Sequence, residues 1–124
     1  MADVGSGDDH PLTARNTGNY RIAGAWSVRL HGGGRHVNHV HPEGWISSAY
    51  YVAVPDEART DTGHAGCIKF AEPPFPTVPP TPPEKWIRPR AGVLVLFPSF
   101  LWHGTQPIHD GSVRVTAPFD AVPA

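Results

Sequence analysis

Fifteen prolines and 13 glycines run through a chain of 124 residues, and together they exclude a mainly helical protein. Proline removes a backbone donor and clashes with the turn before it, while glycine weakens a helix interior. The densest run, Pro73 to Pro83 (PPFPTVPPTPP), holds seven prolines in eleven residues. Such a run fits neither sheet nor helix, so an extended, polyproline-like surface loop is expected there. A docking motif for a signalling module is the sharper reading of it, and a stiff connector is the plainer one. The rest of the chain consists of short apolar stretches divided by turn residues, which is the pattern of an all-β domain.

Trp26, Val28 and Leu30 alternate with Ser27 and Arg29, the period of a half-buried strand over residues 25–30. Gly32, Gly33 and Gly34 then offer a turn, and residues 35–41 are expected as a strand ended by Pro42 and Gly44. Residues 46–54 are the strongest strand, with Ile46, Tyr50, Val52 and Val54 tending to one side. Residues 56–66 are polar and read as a loop, and short strands are expected at 67–70 and 86–88. Val93 to Phe97 is an unbroken apolar run, expected to be buried on both faces. Residues 101–105 and 112–119 complete a set of eight short strands. Without crossover helices, eight strands favour a sandwich or jelly roll. Residues 1–19 have low hydrophobicity and no period, and are expected as a flexible tail before one domain over 20–124.

Ten basic against 11 acidic residues, with no basic block, give no expectation of nucleic acid or an anionic membrane as partner. The polar, acidic N-terminus does not resemble a signal peptide, and no apolar run approaches the roughly 18 to 20 residues of a bilayer span. The single cysteine, Cys67, has no internal partner for a disulfide, and a soluble cytoplasmic domain is the plain expectation. Pairing of an edge strand with a second copy, as a homodimer, is compatible with such a fold.

Eight histidines against two lysines call for an explanation. His36, His39 and His41 fall within six positions, and His39 and His41, two apart, share one face of an extended strand. Far downstream, Phe97 to His103 (FPSFLWH) offers an isolated histidine that could complete a set of three. Structural zinc sites draw on several cysteines, whereas a catalytic metal needs about three protein ligands and open positions. His10 is expected to be solvated, and His31, His64 and His109 to be ordinary hydrogen-bonded groups. Trp45 and Trp102 flank the candidate ligands and are expected to exclude water, while Arg29 and Ser48 could point inward.

These residues also carry a resemblance. AWSVRL, GGRHVNHVHPEGWIS, AYYV, PRAGVLVLFPSFLWHGT and RVTAPFD, in this order, resemble a family of small bacterial 2-oxoglutarate/Fe(II)-dependent oxygenases from Tyr20 to Pro123. The resemblance implies a double-stranded β-helix, Fe(II), and 2-oxoglutarate as cosubstrate. It also implies oxidation of an unidentified small molecule or protein with O2, by hydroxylation in the usual case, with release of succinate and CO2. By position, His39 takes the first ligand place, His41 the place usually held by Asp or Glu, and His103 the distal place. Arg114, eleven residues after His103, takes the place of the arginine that grips the far carboxylate of 2-oxoglutarate. Thr116, on the same strand face, could add a hydroxyl, and Tyr50 resembles a tyrosine that often helps bind this cosubstrate. His41 departs from the pattern, so Glu43 or His36 remain alternatives within the ligand set. Two rivals stand beside this reading. One is a cupin-like metal protein without 2-oxoglutarate, although the glutamate after the HxH pair is not at cupin spacing. The other is a non-catalytic binding module.

Overall fold

A computed structural model describes residues 9–31, 34–60, 62–109 and 112–124. Gly32 and Gly33 of the expected glycine turn lie outside the described residues. Nine strands are present among them, with one short helix, α1 (Asp56–Thr60), and a single 3-10 turn at Thr13–Arg15. All strand pairs are antiparallel. The chain is an all-β jelly roll with almost no helix, as the turn-rich sequence implied.

The larger sheet is built around β3 (Ile46–Ala53), and β6 (Leu94–Pro98) pairs with it from Tyr50↔Leu94 to Ile46↔Pro98. Along β3 also run β8 (Arg114–Thr116), opposite Tyr51 and Ala53, and then β9 (Phe119–Pro123), opposite Ile46 and Ser47. The register is continuous between them: Thr116 faces Tyr51, and Asp120 faces Ser47, at matching offsets. They are one path interrupted at Ala117 and Pro118, where proline has no donor for the ladder. The same holds for β1 (Tyr20–Ala25) and β2 (Val28–Leu30), which pair with β9 and β8 in turn. The strand expected over 25–30 is therefore divided at Trp26 and Ser27, and Trp26 N–H bonds across the break to Pro118 O at 3.0 Å.

The smaller sheet is β5 (Lys85–Ile87), β4 (Ile68–Phe70) and β7 (His103–Thr105). Beside β7 lies the histidine segment. It is not the regular strand expected over 35–41: it makes a single ladder pair, His39↔His103. Its remaining backbone bonds are scattered, with Thr105 N–H to His36 O and His41 N–H to Ser99 O. The Val37 carbonyl accepts from the His39 ring, and Pro42 brings no donor, so the ladder cannot extend. The close approach of this segment to β7 needs a glycine at 104. A Cβ there would stand 2.3 Å from Asn38 Oδ1.

Between the sheets pack Tyr51, Ile68, Phe70, Val95 and Phe97. A second cluster joins Trp45, Ile46 and Ala121, with Leu12 against it. Residues 9–19, in the stretch expected as a flexible tail, make contacts to the domain through Leu12 and its neighbours. The Leu12 carbonyl accepts from Trp45 Nε1 at 2.7 Å, Arg15 donates to Gly44 O, and Thr17 donates to Ala124 O. The burial of β6 also differs from expectation, since Val95 and Phe97 face inward while Leu94 and Leu96 are about half exposed. The apolar run is a one-sided strand with an apolar outer face. The proline run forms no strand or helix, as expected, and no helix among the described residues is long and apolar enough to cross a membrane.

Candidate metal and cosubstrate site

His39 and His41 leave the histidine segment toward the same side, and His103 opens β7 opposite them. One potential ligand atom from each lies within 4.8 Å of the others. The segment is held in place from both sides: His39 exchanges two backbone bonds with His103, and His41 N–H is fixed by Ser99 O. Ser99 is buried and bonded through its hydroxyl to Ser47 of β3, so this anchor belongs to the core.

The outward nitrogens define the tautomers. His39 Nδ1 lies 2.7 Å from Val37 O, His103 Nδ1 lies 3.0 Å from Leu101 O, and His41 Nδ1 lies 2.5 Å from Asp120 Oδ2. Each partner is an acceptor, so each Nδ1 carries the hydrogen and each Nε2 is left with a lone pair. His39 Nε2 and His41 Nε2 face one another at 3.1 Å, so with both rings in this neutral tautomer two lone pairs converge. Two lone pairs at that distance repel unless a cation lies against both. Metal–nitrogen bonds of about 2.1 Å would put neighbouring ligands roughly 3 Å apart in octahedral geometry. The donor set therefore fits a divalent ion of the imidazole-binding class, such as Fe(II).

Burial holds the His103 ring down to about 4, opposed by its bond to the Leu101 carbonyl. His36 is lowered as well, by burial first and then by Arg114 and His39. Both imidazoles are neutral in the fold and charge more readily once unfolded, at an ordinary value near 6.5. For His103 the unfolded chain thus binds more protons as pH falls, and the stabilisation present above about pH 6.5 is lost on the way down to about 4, with His36 adding in the same direction. For the metal-free protein, urea unfolding midpoints should fall between about pH 7 and about pH 4.5, by an equivalent of about 2 to 3 kcal/mol. A flat profile over that range would contradict the buried neutral state.

The three histidines open into a cavity of about 210 Å3 between the sheets, whose wall also includes Arg114, Thr116 and Tyr51. Arg114 is 2% exposed, its Nε is buried without a partner, and Nη1 has only a long 3.5 Å contact to Gly66 O. Burial pushes the guanidinium below its ordinary value. Among the described residues no carboxylate pairs with it. A buried, fork-shaped cation short of acceptors is a receptor for an anion, and a carboxylate matches it best. Thr116 lies two residues on, also buried, and Ser48 lines the same cavity.

Tyr50 is not part of this site. It is 40% exposed on the outer face of β3, and the cavity tyrosine is its neighbour Tyr51, 1% exposed. Burial raises the Tyr51 hydroxyl to about 12 against the opposing pull of Arg114, so it stays protonated and able to donate. The sequence expectation chose the wrong parity, because the inward side of β3 is set by Ala49 and Tyr51 rather than by Tyr50 and Val52. Other expectations are placed as follows. Glu43 is exposed, Arg29 faces solvent, and His36 lines the cavity without joining the three-histidine cluster. Trp45 packs in the second core cluster and Trp102 against Phe75, while Trp26 is the tryptophan at the cavity. His64 stacks on Trp86. Asp120 went unassigned from the sequence, although it closes the RVTAPFD stretch. A larger groove of about 570 Å3 runs between the proline-rich loop and residues 35–38, with His36 and Thr105 in both walls.

The jelly roll thus brings three imidazoles that could hold a metal ion to one cavity with a buried arginine. The family described as "Putative 2OG-Fe(II) oxygenase" matches residues 24–120, and the chain belongs to that family. It is also similar to proteins named proline-rich nuclear receptor coactivator 2. The likeness to the Homo sapiens protein is 32% identity over 63% of this chain and 55% of that one. For the Bos taurus protein it is 35% identity over 51% and 44%. The chain spans about half the length of these curated relatives. Their name speaks of proline richness, and this chain has 15 prolines in 124 residues.

Proposed function

We propose that the chain is an Fe(II)- and 2-oxoglutarate-dependent dioxygenase that oxidises a substrate with O2 and releases succinate and CO2. One juxtaposition supports this reading above the rest: Arg114, buried with an unpartnered Nε, shares a small cavity with three imidazoles whose Nε2 atoms face inward. A short dicarboxylate answers both needs, with one end for the ion and the other for the guanidinium. His39, His41 and His103 would hold the ion. When bound, iron would supply the O2 chemistry that couples decarboxylation of 2-oxoglutarate to oxidation of the substrate. The chain's own contribution is positional. Arg114 fixes the far carboxylate, Thr116 and the protonated Tyr51 offer hydroxyl contacts, and Val28, Ala49, Ile68 and Phe97 keep the cavity apolar and dry.

Anaerobic addition of Fe(II) followed by 2-oxoglutarate should produce a visible absorbance band that requires both, and admission of air should yield succinate. Iron binding without any 2-oxoglutarate-dependent band would reject the reading in favour of a cupin-like metal protein.

A further inference from the structure

Under the function proposed above, the ion rests on three neutral imidazoles, where the pattern usual in the wider superfamily supplies two imidazoles and a carboxylate. A divalent cation in a buried site is then short of one negative charge. That charge is present one hydrogen bond outward. We propose that Asp120 is a positioning residue that acts through His41 and returns to the metal site the negative charge that His41 itself lacks.

The geometry is specific. Asp120 Oδ2 lies 2.5 Å from His41 Nδ1, the short range of charge-assisted hydrogen bonds, and its side chain is only 13% exposed. Asp120 sits on β9 with a strand on either side, opposite Gly24 of β1 and Ser47 of β3, so its backbone is fixed by the sheet. Among the described residues no lysine or arginine forms an ion pair with it, so its charge is not spent elsewhere. A cation on His41 Nε2 draws electrons from the ring and makes Nδ1–H a stronger donor toward Asp120. Wherever along that bond the hydrogen rests, the His41–Asp120 pair carries one negative charge in total. The ion therefore meets the same summed charge as with a directly bound carboxylate, while all of its protein contacts are nitrogen. Glu43, the carboxylate nearer in sequence, is exposed and does not take this role.

The test uses Co(II) as a coloured stand-in for Fe(II), titrated into the full chain and into Asp120→Asn. Asparagine keeps an acceptor oxygen and the side-chain shape but removes the charge. Co(II) affinity should fall about 10- to 100-fold in the variant, which should still unfold cooperatively in urea when metal-free. Binding within about twofold of the parent overturns the role of Asp120 and leaves the proposed function standing. A parent that binds no Co(II) overturns both. If Asp120→Asn does not fold, proton NMR of the Zn(II)-loaded parent decides. A strongly deshielded, exchange-protected His41 Nδ1–H supports the short bond to Asp120, and an ordinary imidazole N–H position rejects it.

Discussion

Arg114→Met should make the metal-free protein more stable and at the same time abolish its binding of 2-oxoglutarate. The two effects have one cause. In the free protein the guanidinium is buried with Nε unsatisfied, and a buried charge without good partners costs more than an apolar chain of similar volume. Urea unfolding should show a gain of about 1 to 3 kcal/mol. Binding moves in the opposite direction. Removing one side of a buried charge pair costs about 2 to 5 kcal/mol, so 2-oxoglutarate affinity of the Fe(II) form should fall by at least about 30-fold. Calorimetry of the anaerobic protein measures the second effect directly. Destabilisation together with unchanged affinity would mean that Arg114 is only a core residue. Lysine at this position should recover little, because an ammonium does not reproduce the two parallel bonds of the fork.

His103→Gln should remove the stabilisation that metal gives. A ligand that binds only the folded state raises stability by about 2.7 kcal/mol at roughly one hundred times its Kd. The parent should show a gain of that order when titrated with Fe(II) or Co(II), read as a rise in melting temperature. In the variant the gain should drop below about 0.5 kcal/mol, because two imidazoles from one segment cannot complete the set. Glutamine fills much of the space that the histidine ring leaves beside Phe97, so the metal-free variant should remain folded. Tyr50→Phe serves as the control: an exposed residue on the far face of β3 should leave the metal response unchanged.

Much of this arrangement was legible in the residues. The prolines and glycines exclude helix, and the alternating stretches mark most of the strands within a few positions. The HxH pair and His103 do gather in space, although they do so from an irregular segment rather than a strand. Local spacing could not supply the face of β3. Tyr50 and Tyr51 are equally suited to a strand, and only the packing of β4, from the smaller sheet, over one side decides which is inside. The apolar run at β6 misled for a related reason. Leu94 and Leu96 suggest burial on both faces, yet no second layer covers them among the described residues. Asp120 was illegible because its partner lies 79 positions away, and a hydrogen bond at that separation leaves no periodic trace in the chain. Leu12 likewise reads as part of a polar tail until the gap beside Trp45 is seen.

The interruption shared by β1/β2 and β8/β9 has a consequence for how the cavity is entered. Trp26 and Pro118 mark the two halves of the same crease, and both form part of the cavity wall. At that crease one backbone bond, from Trp26 to Pro118, joins the β1/β2 side to the β8/β9 side, while Ala117 N–H and the Ser48 hydroxyl tie the break to β3. The doorway also reaches the metal site: Trp26 meets the His41 ring edge-on, and His41 bonds to Asp120, two residues beyond Pro118. A molecule passing this threshold therefore meets the His41–Asp120 pair at the lip itself.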